Sequence, residues 1–301
     1  MNLYNLNKTQ LSQLKEKPFK LEREIQNLFE QNLNLLTGLE FVKSEFTIKG
    51  KRIDTLAFDN QSNAFIIIEY KRDKNDSVVD QGFTYLSLML ENKADFVLCY
   101  NETLHKSLHS SKIDWSQTRV VFVSPSFTEN QRLATNFKDI AIELWEIKRY
   151  ENDLISVIPI KKTRSAESIK PLTQKDSKVK SVTDEIKVYS EEEHLLNKND
   201  DTIELYKIYK NAILNLGDNL EIKPKKQEIG FTNNGKIFAD VCILKNSLKF
   251  WINLKKGKLD DSKKMARDVS NIGHWGNGDY EIIITNTDNL EYVLYLIKQA
   301  L

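Results

Sequence analysis

Apolar residues first recur at helical spacing between residues 18 and 37, where Leu21, Ile25, Leu28, Phe29, Leu33 and Leu36 share one face. That pattern predicts an amphipathic helix. The period then drops to two: residues 52–58 alternate, a polar tetrad follows at 60–63, and the run from Ala64 to Lys71 is rich in β-branched residues. Two strands around a short loop make a β-hairpin. Ser77-Val78-Val79-Asp80 has the form of a capping box and opens a predicted helix that runs through Glu91. Short apolar runs at 95–100, 119–124, 140–147 and 154–160 read as strands, with a helical piece at 128–137. Helices interleaved with strands predict an α/β layer architecture with a mixed sheet.

Residues 161–200 change character. They are polar, hold a single proline and include the acidic cluster Glu191-Glu192-Glu193, so they read as an exposed charged linker, helical in part. Beyond them a helix at 203–209, strand-like runs at 227–232, 236–244, 248–254 and 280–285, and an amphipathic helix over 289–301 predict a smaller α+β domain. The expected organisation is a first domain over 1–160, a linker over 161–200 and a second domain over 201–301.

The hairpin carries the chemistry. With the tetrad as its loop, Asp59 pairs with Ala64, and the antiparallel register sets Asp54 opposite Glu69. Side chains directly opposed on one face have Cβ atoms about 4.5–5.5 Å apart, and like charges there repel. A divalent cation held by oxygen ligands offsets that repulsion. Lys71 lies two residues past Glu69, so its ammonium shares the face. The expected metal ligands are Asp54, Glu69 and the backbone carbonyl of Tyr70, with Lys71 orienting water or stabilising a phosphorane. Glu24 stands at the edge of the apolar stripe of the first helix, where it could serve the metal. Gln81 and Tyr85, four apart on the helix after the hairpin, share one face and need polar partners if that helix is buried.

Asp54 with Glu69-Tyr70-Lys71 resembles the motif of the PD-(D/E)XK, or restriction-endonuclease-like, nuclease superfamily. Gln81-Gly82-Phe83-Thr84-Tyr85 is similar to the Q-x-x-x-Y element of its RecB-like branch, and Glu24 sits where that superfamily often places an acid on its first helix. Ile53 stands where the superfamily often has proline. The resemblance covers about residues 15–150. It implies a four-stranded mixed sheet flanked by helices, Mg²⁺ or Mn²⁺ as cofactor, and phosphodiester hydrolysis by Asp54, Glu69, Lys71, Glu24, Gln81 and Tyr85. In the second domain, Phe250-Trp251-Ile252-Asn253-Leu254-Lys255 and the segment 266–279 are similar to an uncharacterised bacterial domain, domain of unknown function 5655. That resemblance supplies no activity.

Composition narrows the picture. With 40% hydrophobic and 29% charged residues the chain of 301 is expected to be globular, and no apolar run reaches the length of a membrane span. The N-terminus lacks the basic start and apolar core of a secretory signal, so a cytoplasmic location is expected, with Cys99 and Cys242 as buried reduced thiols. A net charge of +1 leaves nucleic-acid attraction to local patches. Residues 221–268 carry twelve basic and six acidic side chains. Trp251, Lys255, Lys264, Arg267, His274 and Trp275 are therefore the candidate substrate-binding residues, because stacking beside cations holds single strands or flipped bases. His105 and His109 are four apart but lack the further ligands of a metal site. The leading expectation is a Mg²⁺-dependent deoxyribonuclease with a substrate-selecting second domain. The alternatives are a non-catalytic nucleic-acid-binding sensor on the same fold, and a protein-interaction module.

Overall fold

The computed structural model describes residues 3–72, 77–163, 165–173, 176–273 and 276–301, the side chain of Lys178 excepted. The chain divides into two compact units, Met1–Val188 and Tyr189–Leu301. The first begins with a hairpin of β1 (Tyr4–Asn7) and β2 (Gln10–Gln13). The stretch expected as one helix forms two, α1 (Glu22–Gln31) and α2 (Leu33–Thr37). The break falls at Asn32, whose side-chain amide donates to the Leu28 carbonyl at 2.8 Å and so competes for a main-chain acceptor.

Next come β3 (Glu40–Ile48), β4 (Lys51–Asp59) and β5 (Ala64–Tyr70), then α3 (Val78–Glu91) and α4 (Lys93–Leu104). The sequence pattern missed β3, whose alternation is broken by a bulge between Phe41 and Lys43. Residues 95–100, expected as a strand, belong to α4. Phe96, Cys99 and Tyr100 are buried at i, i+3 and i+4 while Leu98 is 55% exposed, which is a helical and not an alternating division. His105 is the left-handed C-cap of α4, and His109 lies beyond that helix, so the two do not share a helix face. The remaining elements are β6 (Arg119–Ser124), α5 (Glu129–Ala134), β7 (Ile142–Arg149), β8 (Ile155–Pro159), α6 (Lys170–Thr173) and α7 (Ser177–Glu185).

The sheet runs β3-β4-β5-β6-β7-β8, two strands more than the resemblance implied. It is antiparallel except where β6 pairs in parallel with both β5 and β7. Both faces are covered. Leu56, Ile67 and Phe122 share one apolar cluster with Leu86 and Met89 of α3 and Phe96 of α4. Ala57, Ile68, Tyr70 and Val121 share another with Ile25 and Phe29 of α1. The described residues of 161–188 are mostly exposed but are anchored within the first unit. Ile169, Val182 and Ile186 join the first of these clusters, and a few apolar anchors in a polar stretch were too sparse to register as periodicity.

The second unit holds α8 (Glu191–Leu195), α9 (Asp200–Leu214), β9 (Leu220–Pro224), β10 (Ile229–Asn233), β11 (Lys236–Ile243), β12 (Leu248–Ile252), β13 (Arg267–Asp268), β14 (Tyr280–Ile284) and α10 (Leu290–Lys298). Its antiparallel sheet has the order β13-β14-β12-β11-β10-β9. One face packs on α9 and α10 through Tyr209, Phe231, Val241, Phe250, Ile282 and Leu296. The architecture is thus a mixed sheet flanked by helices followed by a smaller α+β unit, and no helix among the described residues is long and apolar enough to cross a membrane. Cys99 and Cys242 are buried and unpaired, and burial raises both thiols above their usual range.

Candidate active site at the end of the β4–β5 hairpin

The loop at one end of the hairpin fixes what meets at the other. The Asp59 carboxylate accepts from the backbone amides of Gln61 at 2.9 Å and Ser62 at 3.3 Å, and Asn63 takes a left-handed φ of 51°. Asp59 consequently pairs with Ala64, as the sequence pattern required, and the ladder continues to Thr55 opposite Ile68. One step further the side chains replace the ladder. The Asp54 amide donates to Glu69 Oε1 at 3.1 Å, and the Tyr70 amide donates to Asp54 Oδ2 at 3.1 Å. Each acid is thereby held against the other strand.

Glu69 is only 3% exposed. Burial, with the neighbouring Asp54 charge next in importance, pushes its carboxyl up to about 8. Burial likewise raises Asp54, against the opposing effects of the Tyr70 amide and the Lys71 charge. Lys71 thus acts on both acids, and its own amide donates to the Val123 carbonyl at 2.9 Å, continuing the parallel pairing with β6. From α3, Gln81 Nε2 donates to Glu69 Oε2 at 3.0 Å and to the Tyr85 hydroxyl at 3.1 Å. The Tyr85 hydroxyl donates in turn to the Arg52 carbonyl at 3.0 Å. Gly82 lets α3 sit this close: a Cβ there would lie 2.4 Å from Ile142 Cδ1. Asp54, Glu69, Lys71, Gln81 and Tyr85 are therefore brought together.

Glu24 is not part of that group. Its carboxylate accepts from the Lys20 amide at 3.3 Å and from Arg149 at 3.5 Å. The α1 side chains that hydrogen-bond to β4 of the hairpin are Gln26 and Glu30. At 100° per residue, Glu24 points about 200° away from Gln26. Gln26 is 7% exposed and donates to the Asp54 carbonyl at 3.1 Å, and Glu30 accepts from Thr55. The sequence reading missed both. The available signal was a polar stripe at Glu22, Gln26 and Glu30, beside the buried Ile25 and Phe29. Among the described residues, no group of three or more His, Cys, Asp and Glu stands ready to hold a metal ion. Two carboxylates do the converging here.

In the second unit, Lys255, Lys264 and Arg267 are exposed, and Arg267 pairs across β13 and β14 with Glu281. Trp251 is not a surface platform, being 2% exposed in a small cluster with Cys242 and Val269 on the sheet face away from α9 and α10. Period-2 alternation could not say that this face is also covered. The cover is the loop at Gly276 and Gly278: a Cβ at Gly276 would lie 2.4 Å from Trp251 Cγ, and one at Gly278 would lie 1.6 Å from the Ile252 carbonyl oxygen. His274 and Trp275 lie outside the described residues. Beside Trp251, the buried Lys225 ammonium bridges Glu228 at 2.7 Å and Asp240 at 3.0 Å, and Asn277 donates to the other Asp240 oxygen from its amide at 3.0 Å.

An uncharacterised protein of Haemophilus influenzae (strain ATCC 51907 / DSM 11121 / KW20 / Rd) is 53% identical to this chain over 301 residues, covering 100% of this chain and 99% of that one. The chain belongs to that protein's family. Residues 191–301 of this family member match a domain of unknown function, DUF5655. Three solved structures are similar at a TM-score of 0.26 each. A repair endonuclease from Pyrococcus abyssi is 21% identical over 44% of this chain and 49% of its own, and EndoMS in apo form 20% over 40% and 44%. An EndoMS–dsDNA2 complex is 14% identical over 48% and 64%. The chain thus spans less than two thirds of each of these solved chains.

Proposed function

We propose that the first unit is a metal-dependent nuclease of the PD-(D/E)XK type, Q-x-x-x-Y variant, which hydrolyses phosphodiester bonds in DNA. The observation that carries this reading is the buried Glu69 opposed by the half-buried Asp54, with Lys71 acting on both. Two like charges that act on each other, one of them dry, favour a cation or a proton between them. The donor set fits a hard divalent ion, since Mg²⁺ is often bound through one or two carboxylates and keeps water and phosphate oxygens as its other ligands. Asp54 and Glu69 would hold it, with the Tyr70 carbonyl as a further ligand. When bound, Mg²⁺ or Mn²⁺ polarises the phosphate and lowers the pKa of its water.

The protein's own groups do the rest. Lys71 places a positive charge beside the scissile phosphate, orients the attacking water and steadies the charge that builds on the phosphorus oxygens. Gln81 fixes the Glu69 carboxylate, and Tyr85 fixes Gln81 while anchored on the Arg52 carbonyl. The second unit, through exposed residues such as Lys255, Lys264 and Arg267, would hold or select the substrate. One observation favours a second reading, a nucleic-acid sensor that binds without cutting: both oxygens of Glu69 already accept hydrogen bonds.

The test is cleavage of plasmid, linear and single-stranded DNA in Mg²⁺ or Mn²⁺, run beside Glu69→Ala. Cleavage by the wild type that drops at least a thousandfold in the variant supports the nuclease. Unchanged cleavage in the variant sinks it, and DNA binding without any cleavage moves the reading to the sensor.

A further inference from the structure

Gln26 is a buried amide with more acceptors than hydrogens. Within reach of its Nε2 are the Asp54 carbonyl and Glu30 Oε1 at 3.1 Å, Ser44 Oγ at 3.2 Å and Glu45 Oε1 at 3.3 Å. The neighbouring positions Ile25 and Phe29 show that α1 packs on the sheet through apolar contacts, so packing alone does not call for an amide here. Glu45 adds a second, independent observation. The β3–β4 register pairs Ser44 with Thr55 and Phe46 with Ile53, which puts Glu45 across from Asp54, yet that pair is missing from the ladder. Glu45 instead adopts a φ of 52°, a conformation that residues with a Cβ rarely take, and its carboxylate turns to Gln26 and to Arg52 at 2.9 Å. Strained backbone at the register position of a candidate functional residue points to a task there.

Asp54 stands where the ladder with β3 skips one pair, opposite Glu45, and where the ladder with β5 ends, toward Glu69. Its main chain is tied from behind by Gln26 and its carboxylate is tied in front by the Tyr70 amide. We propose that Gln26 is a positioning residue: by holding the Asp54 carbonyl it sets the aim of the Asp54 carboxylate toward the cation, while Glu30, Ser44 and the strained Glu45 hold the Gln26 amide. The inference rests on the metal-dependent reading above and extends it to the opposite face of the sheet.

The experiment compares wild type with Gln26→Ala and Gln26→Met. The methionine variant keeps about the same buried volume and removes the amide with its donor. Mn²⁺ binding is measured by calorimetry on the full chain, melting temperature is recorded without metal, and kcat and KM are measured for a linear duplex across a Mn²⁺ titration. Groups that orient a metal ligand change metal affinity or activity by about 10–100-fold when removed. Both variants should weaken Mn²⁺ binding about tenfold or more and shift the Mn²⁺ midpoint of cleavage by the same factor, with KM for DNA within about twofold of wild type. A merely structural role would lower the melting temperature and the active fraction and leave the Mn²⁺ midpoint in place, and that result overturns the proposal. Wild-type affinity in a folded Gln26→Met protein overturns it as well. A wild type that binds no Mn²⁺ and cuts nothing overturns the metal-dependent reading and this inference with it, whereas an active wild type with insensitive variants overturns this inference alone.

Discussion

Replacing Glu69 with glutamine should change how the stability of the metal-free protein depends on pH. An unfolded glutamate titrates near 4.5, whereas burial and the Asp54 charge move this carboxyl up to about 8 in the folded chain. Between those values the folded state keeps a proton that the unfolded state has released, so stability falls as pH rises. The contribution is fully present below about pH 4.5 and is lost as pH rises through about 8. A displacement from 4.5 to about 8 corresponds to on the order of 5 kcal/mol at most, shared with Asp54 because the two acids titrate as a pair. Even half of that is a large part of the 5–15 kcal/mol that stabilises a typical domain. The assay is urea unfolding in EDTA at intervals from pH 5 to 8.5, followed by Trp145 on β7. Glu69→Gln is neutral in both states, so its curve should keep only the shallower slope that the raised Asp54 carboxyl contributes and lie above the wild type by a few kcal/mol at pH 8. Wild-type and variant curves that run parallel across this range would refute the argument that Glu69 is a dry, crowded carboxyl.

Two further outcomes concern the second unit. Trp251→Ala should cost it about 3–5 kcal/mol in denaturant unfolding, as expected for a buried aromatic, and a variant of normal stability but weakened DNA binding would restore Trp251 to the surface. Lys225→Met should destabilise by about 3–5 kcal/mol, because it leaves Glu228 and Asp240 buried without their shared cation; a loss below about 0.5 kcal/mol in the same assay would contradict that geometry.

The hairpin was legible because its information is local. A polar tetrad between two β-rich runs fixes the register, and register alone decides which acids face each other. Gln81 and Tyr85 followed from four-residue spacing on a capped helix. Glu24 failed for a geometric reason. An apolar stripe gives the buried face of α1 but not the side chains along its edge that meet the end of a distant hairpin, and two residues of error rotate a side chain to the far side. Trp251 failed because alternation gives two sheet faces without saying that a glycine-rich loop closes over the second. Residues 95–100 show the ambiguity of a short apolar run, which the neighbouring turns of α4 settled in favour of helix. For residues 161–188 the burial of Ile169, Val182 and Ile186 depends on long-range partners that no local window contains.

The placement of the acid pair also has a consequence for the order of folding. Only four residues separate β4 from β5, whereas β5 and β6 are joined through residues 71–118 and pair in parallel. A short hairpin closes in about 1–10 μs, long before a parallel crossover can assemble. Asp54 and Glu69 therefore meet while both are still hydrated and their repulsion is screened by solvent. Dehydration comes when α3 docks, and α3 is the element that carries Gln81 with Tyr85 behind it. The hairpin supplies Glu69 Oε1 with the Asp54 amide, and the helix that then covers Glu69 brings the Gln81 amide to Oε2, so each carboxylate oxygen gains a donor as it loses water.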